Sequence, residues 1–396
     1  MDWVWLIFLL VVGSCVGSFL NVVIYRVPRG QSIVFPGSHC PRCGRAIHWY
    51  DNIPLVSYLA LRGRCRFCKA PISPRYAIIE LATALLVAGL YAVYFVLDLR
   101  DGAGGLLDAW PMFVAHAALL AGLLACSAVD VEHWIVPLEV CWVAAAIGAV
   151  SAAADPHPFM PTVSPAVGAA AVGALAGLAV AMLLRRHGLI QDSFVDARER
   201  VAIDKGGSRK ASPDQAGRIT AVAFTRAHGV DPRREILREL ALLLPAMVLG
   251  VGAWLAVRWV PAIGQPWARW ASPQGTGAGR HLAGLLGSAW GFVVGGGLIW
   301  TVRILGTLAF GKEAMGRGDV HLMSAVGAVT GWVVPTLAFF VAPFFGLLWA
   351  LYLWLGRGQR ELPYGPWLAV GTAVVMVFHD GLMEFLGFYG QWLHGG

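Results

Sequence analysis

Two aspartates and four cysteines stand out in a chain of 396 residues of which only 13% are Asp, Glu, Lys or Arg. Asp130 closes an apolar run in Val129-Asp130-Val131-Glu132-His133-Trp134, and Asp319 opens another in Gly316-Arg317-Gly318-Asp319-Val320-His321. A carboxylate costs about 2.5–3.5 kcal/mol at the centre of a membrane span, so each needs a reason. At one depth on two helices the pair could perform aspartyl hydrolysis. One ionised carboxylate takes a proton from water while the other, protonated, donates to the carbonyl or the leaving amine. Gly316 and Gly318 would let a backbone approach and free the chain to turn as it enters the membrane. Glu132, His133 and His321 flank the same interface and are further candidates. Each aspartate also has a plainer reading: Asp319 as a first-turn acid favoured by the helix dipole, Asp130 as a residue bordering water. Glu80 reads as a dipole-compatible acid at the start of a span, and Asp380 and Glu384 fall near the opposite face.

The cysteines form Cys40-Pro41-Arg42-Cys43, then 21 residues, then Cys65-Arg66-Phe67-Cys68. Thiolates two residues apart can grip one edge of a tetrahedral ion, and a second such pair completes a closed four-sulfur site. Closed sites leave no position for water, so the expected zinc is structural. Two disulfides are the competing reading. They are disfavoured because the loop carries nine basic residues against one acid, Asp51, and so is expected on the reducing cytoplasmic side. His39 and His48 lie nearby but read as solvated. Cys15, Cys126 and Cys141 sit in apolar runs as small core residues.

The elements that must position these groups are membrane helices. Hydrophobic residues make up 58% of the chain, and apolar runs recur that are long enough to cross a hydrocarbon core of about 30 Å. A soluble enzyme, a disordered tail and a small disulfide scaffold are excluded. The reading is an all-α polytopic membrane protein with about ten transmembrane helices and a small cytoplasmic zinc-binding loop domain. Spans fall near 3–25, 76–97, 110–129, 134–152, 166–184, 239–260, 282–306, 318–334, 336–356 and 367–388. With the N-terminus outside, 26 of the 30 Lys and Arg residues fall on the cytoplasmic side, as the positive-inside rule requires. Asp130, Asp319 and the cysteine loop then share that face. The net charge of +7 thus records orientation and calls for no nucleic acid.

The chain divides into a first span (1–25), the cysteine loop (26–75), helices carrying Asp130 (76–154), an insertion with two extra spans (155–280) and helices carrying Asp319 (281–396). Within the insertion, Arg185–Arg238 holds twelve basic and seven acidic residues and reads as a solvated cytoplasmic spacer.

The combination resembles the type IV prepilin peptidase family of membrane aspartic proteases. The resemblance is carried by Gly17-Ser18-Phe19-Leu20-Asn21 through Arg26, the two cysteine pairs, Asp51-Asn52-Ile53-Pro54-Leu55, and Leu61-Arg62-Gly63-Arg64-Cys65. Further along it rests on Pro71-Ile72-Ser73 with Glu80, Asp130 seven residues before Pro137, Gly316-Arg317-Gly318-Asp319-Val320 and Pro363-Tyr364-Gly365-Pro366. It implies that Asp130 and Asp319 are the catalytic pair. It implies cleavage after glycine, at the cytoplasmic face of the inner membrane, of the basic leaders of type IV prepilins or type II secretion pseudopilins. It also implies N-methylation of the new terminus from S-adenosylmethionine, an activity associated with the first cytoplasmic loop. No Gly-rich dinucleotide fingerprint locates a cofactor pocket. Three features depart from the family pattern: Leu138 after Pro137, His321 in place of a lysine, and the two extra spans. A proton-coupled transporter and an assembly scaffold without catalysis are the alternatives, since membrane acids also build proton relays.

Overall fold

The computed structural model describes residues 2–100, 102–191, 193, 232–273, 277–311, 313–357 and 363–394. Among these the long helices are α1 (Asp2–Arg26), α2 (Arg75–Tyr91), α3 (Trp110–His133), α4 (Leu138–Ala154), α5 (Pro165–Arg186) and α6 (Pro232–Trp259). They continue as α7 (Pro261–Trp270), α8 (Ala278–Phe310), α9 (Arg317–Thr330), α10 (Val333–Arg357), α11 (Gly365–Val377) and α12 (His379–His394). The described residues contain no strand, only two isolated bridges in the cysteine loop. The protein is an all-α, multi-pass membrane protein.

Proline in the first turn starts α3, α5 and α11, where its missing N–H would be unpaired in any case. Trp134 ends α3 in the left-handed conformation, at φ 58°, with its N–H donating to the Asp130 carbonyl. Asp130 is thereby fixed in the last turn of its helix.

A helix stands at each of the ten expected spans, but three differ in form from a simple crossing. Among the described residues seven helices are long and apolar enough to cross a membrane, and an eighth crossing needs α11 and the start of α12, which meet at a 78° bend. The expected straight span 367–388 is therefore broken after Val377. α4 has 17 residues and α9 only 14, so at 1.5 Å per residue they reach about 25 and 21 Å. Both fall short of the hydrocarbon core, and the turn that carries Asp319 lies at the start of the shorter one.

α9 is the centre of the assembly, with α8 and α4 against it and α10, α3 and α11 also in contact. Its interface with α8 is a backbone seam. A Cβ at Gly291 would lie 1.9 Å from the Gly327 carbonyl oxygen, and one at Gly327 would lie 2.0 Å from that of Gly291. Only glycine permits this spacing.

The helices α5 and α6 pack extensively on each other and both touch α8. The reading of Arg185–Arg238 as a solvated spacer fails at its ends. Ser193 and Glu235 are buried, because α6 begins about two turns earlier than the apolar run alone suggests and its first turns carry paired charges. Residues 194–231, the middle of that stretch, lie outside the described residues.

Candidate active site and cysteine cluster

α3 and α9 bring Asp130 and Asp319 to the same end of the bundle, where both are buried and the two carboxylates lie within electrostatic reach of each other. The Gly365 N–H, at the start of α11, donates to Asp130 Oδ2 at 3.1 Å. Asp319 occupies the third position of α9, in the turn capped by Gly316, whose backbone faces its carboxylate. One aspartate thus closes a helix and the other opens one. The third helix of the site, α11, presents its first amide to the pair, and Tyr364 just before it interacts electrostatically with Asp319.

The glycines of the Asp319 motif are not equivalent. A Cβ at Gly318 would come within 2.7 Å of Val136 Cβ, in the connection between α3 and α4, so this glycine lets the two acid-bearing segments meet. A Cβ at Gly316 would meet Asp319 Oδ2 at an ordinary 3.4 Å. Gly365 is as constrained as Gly318, since a Cβ there would lie 2.7 Å from Asp130 Oδ2.

The remaining candidates sit around the pair. Glu132 accepts from Arg75, where the cysteine loop runs into α2, and so ties the end of α3 to it, while His133 Nε2 lies 3.8 Å from its neighbour Glu132. The His321 ring packs against Trp142 of α4 at 5.8 Å. Asp380 pairs with its neighbour His379 at the bend between α11 and α12.

Sequence reasoning did not single out Gly365 or Arg303. Gly365 stands in Pro363-Tyr364-Gly365-Pro366, a motif that carries the resemblance without a role for this glycine. Arg303 is a cation in the apolar helix α8, fully buried between Glu239 and Glu313, and a charge within a span was itself the available signal.

The cysteine loop brings all four sulfurs within 4.8 Å of one another, with Cys40 and Cys68 at 3.8 Å. A tetrahedral ion with zinc–sulfur bonds of about 2.3 Å needs sulfur–sulfur edges of about 3.8 Å, so the residues fit the metal. Two matching turns build the cluster. The Cys40 N–H donates to the Arg45 carbonyl and Gly44 N–H to Cys40, while the Cys65 N–H donates to Ala70 and Lys69 N–H to Cys65. Gly44 and Lys69 occupy equivalent left-handed positions, at φ 68° and 57°. Backbone N–H groups of Cys68 and Phe67 pull the Cys65 thiol down to about 7, which favours the thiolate a metal requires. The histidines stand apart: His39 pairs with the Gly37 carbonyl and His48 stacks on Tyr50. Arg66 clamps Asp51 with two hydrogen bonds of 2.7 and 2.6 Å, which holds the Asp51 carboxyl below its usual range. The loop is joined to α2 where the Leu55 N–H donates to Glu80 Oε2 at 2.8 Å, with Leu55 at φ 60°.

Comparison with known proteins gives two family matches: the bacterial peptidase A24 N-terminal domain over residues 11–94, and the type IV leader peptidase family over residues 241–351. Over these two stretches the chain is similar to the type IV leader peptidase family. The first match holds the four cysteines and Glu80, and the second holds Arg303 and the Gly316–Asp319 motif. Asp130 lies outside both, and the second begins within α6 of the insertion. Prepilin leader peptidase/N-methyltransferases from Myxococcus xanthus, Pseudomonas aeruginosa and Klebsiella pneumoniae share identity with it. The values are 51% over 134 residues, 40% over 151 and 41% over 139. These alignments cover 34%, 32% and 34% of this chain and 36%, 48% and 55% of the relatives. The chain thus spans about a third to a half of the length of the curated relatives it matches. No solved structure matches it.

Proposed function

We propose that this protein cleaves the basic leader of type IV prepilins, and of the related pseudopilins of type II secretion, after glycine, and methylates the new N-terminus. The observation that carries the reading is the meeting of Asp130 and Asp319 at one end of the bundle, within electrostatic reach of each other, with Asp130 held by the Gly365 amide. Two carboxylates in one buried site share a proton. The ionised one takes a proton from water as it attacks the scissile carbonyl, and the protonated one gives its proton to the leaving amine. The Gly365 amide orients the Asp130 carboxylate and leaves its other oxygen for water and substrate. A transporter fits less well, because the two acids share one end and form no ladder across the bilayer.

The charge distribution supports the cytoplasmic face of the inner membrane as the place of cleavage, with the N-terminus outside. Zinc held by Cys40, Cys43, Cys65 and Cys68 would supply no chemistry of its own; it would fix a loop bonded to α2 and α3. That loop, named in the family for methylation, is the expected seat of S-adenosylmethionine. Cleavage is tested with purified protein in liposomes and a panel of prepilins. Asp130→Asn and Asp319→Asn should each lower turnover by at least about a hundredfold. Undiminished cleavage by either folded variant rejects the mechanism. A gain of about one methyl mass on the product, with added S-adenosylmethionine, tests the second activity.

A further inference from the structure

The extra helices of the insertion reach the acid pair through a buried chain of charges. On α6, Glu239 is 3% exposed, and its Oε1 accepts from Arg303 Nε of α8 at 2.7 Å and from Ser193 Oγ at 2.9 Å. Arg303, wholly buried, also donates through Nη1 to Glu313 Oε1 at 2.6 Å and to the Met315 carbonyl. Met315 immediately precedes Gly316-Arg317-Gly318-Asp319. Ser193 closes a second route, because Arg317 Nη2 donates to its carbonyl at 2.9 Å and its hydroxyl at 3.0 Å. One carboxylate oxygen of the insertion therefore meets both sides of the turn that delivers Asp319, through Arg303 to Met315 and through Ser193 to Arg317. Arg303 is also within electrostatic reach of Asp319 itself.

We infer that Glu239 is a positioning residue: carried by an inserted helix, it holds Arg303 and Ser193 so that the 315–317 turn sets Asp319 opposite Asp130. The insertion is then a working part of the site and not an appended spacer. A buried guanidinium has five donors in a rigid fork, so the carboxylate that receives its Nε fixes where the remaining donors point. Removing that carboxylate lets the fork rotate and releases the Met315 carbonyl. The catalytic consequence rests on the peptidase reading.

The test uses the full chain in liposomes with a cleavable prepilin. Glu239→Gln and Glu239→Ala should lower kcat by about ten- to a hundredfold, the scale of an ångström-sized misplacement, while KM holds. Glu239→Asp, which keeps the charge, should recover much of the loss. Trp267→Phe, which breaks the Trp267–Pro165 hydrogen bond between α7 and α5, should leave kcat unchanged and controls for loosening of the insertion elsewhere. A second measurement needs no activity. In an Asp130→Cys, Asp319→Cys double variant, a short bifunctional thiol reagent should bridge the two positions, and Glu239→Gln should reduce the yield, read by mass spectrometry of the linked peptides. An unchanged kcat in Glu239→Ala, or an unchanged bridging yield, overturns the inference, and the Gln variant decides it if the Ala variant does not fold. If the unaltered protein cleaves no prepilin, the peptidase reading fails while the bridging yield still reports whether Glu239 holds the turn.

Discussion

In the cysteine loop each cysteine pair stands in a turn closed by backbone bonds spanning five residues or fewer, Cys40 with Gly44 and Arg45, Cys65 with Lys69 and Ala70, and the two turns repeat the same geometry. Asp130 and Asp319 have nothing comparable. Their meeting depends on α3 ending at Trp134, on Gly318 fitting against Val136, on the amide of Gly365, and on a seam between α8 and α9. A local site is written into a short stretch of sequence and tolerates changes elsewhere in the chain. A site assembled from three helices inherits the packing of all of them.

The difference predicts a double dissociation, and this is the largest effect expected. Replacing Cys40 and Cys65 by serine should drop bound zinc from about one equivalent to less than half, since a closed site needs all its ligands, while prepilin cleavage persists. Asp319→Asn should do the reverse. Loss of both properties in either variant would break the contrast and make the loop and the acid pair one cooperative unit.

A smaller effect sharpens it. Gly365→Ala and Gly318→Ala insert a methyl group where 2.7 Å is available, and each should lower turnover by about tenfold or more with zinc content unchanged. Gly316→Ala should be milder, because its Cβ would find 3.4 Å. Equal losses at Gly316 and Gly318 would contradict the packing described.

The smallest effect concerns the loop alone. Asp51 titrates below its ordinary value because Arg66 donates to it, so this contact stabilises the loop above the carboxylate range and is lost as pH falls below about 4. Asp51→Asn should raise amide exchange around residues 50–67 at neutral pH and abolish that pH dependence. Protection that still changes through this range in the variant would assign it to another group.

Much of this was legible before any geometry. The cysteine spacing predicts the cluster because ligation there needs only short-range turns. The apolar runs predict the helices because crossing a membrane demands length and hydropathy. Asp130 and Asp319 are visible as acids where acids are costly. What the sequence did not disclose is long-range: the Gly365 amide on Asp130, the bend after Val377, and the pairing of Glu239 with Arg303. Glu239 opens the expected span 239–260 without drawing notice, because its partner is 64 positions away on another helix. His321 and His133 show the converse limit. They flank the acids in sequence, yet the contacts they make are with Trp142 and Glu132.

The seam at Gly291 and Gly327 fixes how far Asp319 sits into the lipid. A Cβ on either glycine would lie within 2.0 Å of the other's carbonyl oxygen, so the two backbones interlock at this level and α8 cannot slide along α9 without separating from it. The short helix α9 therefore cannot ride up or down to suit a thicker or thinner bilayer, and takes its level from its neighbour. The vertical coordinate of the acid is built into the protein, like a step cut in a wall, and the membrane around it must adjust.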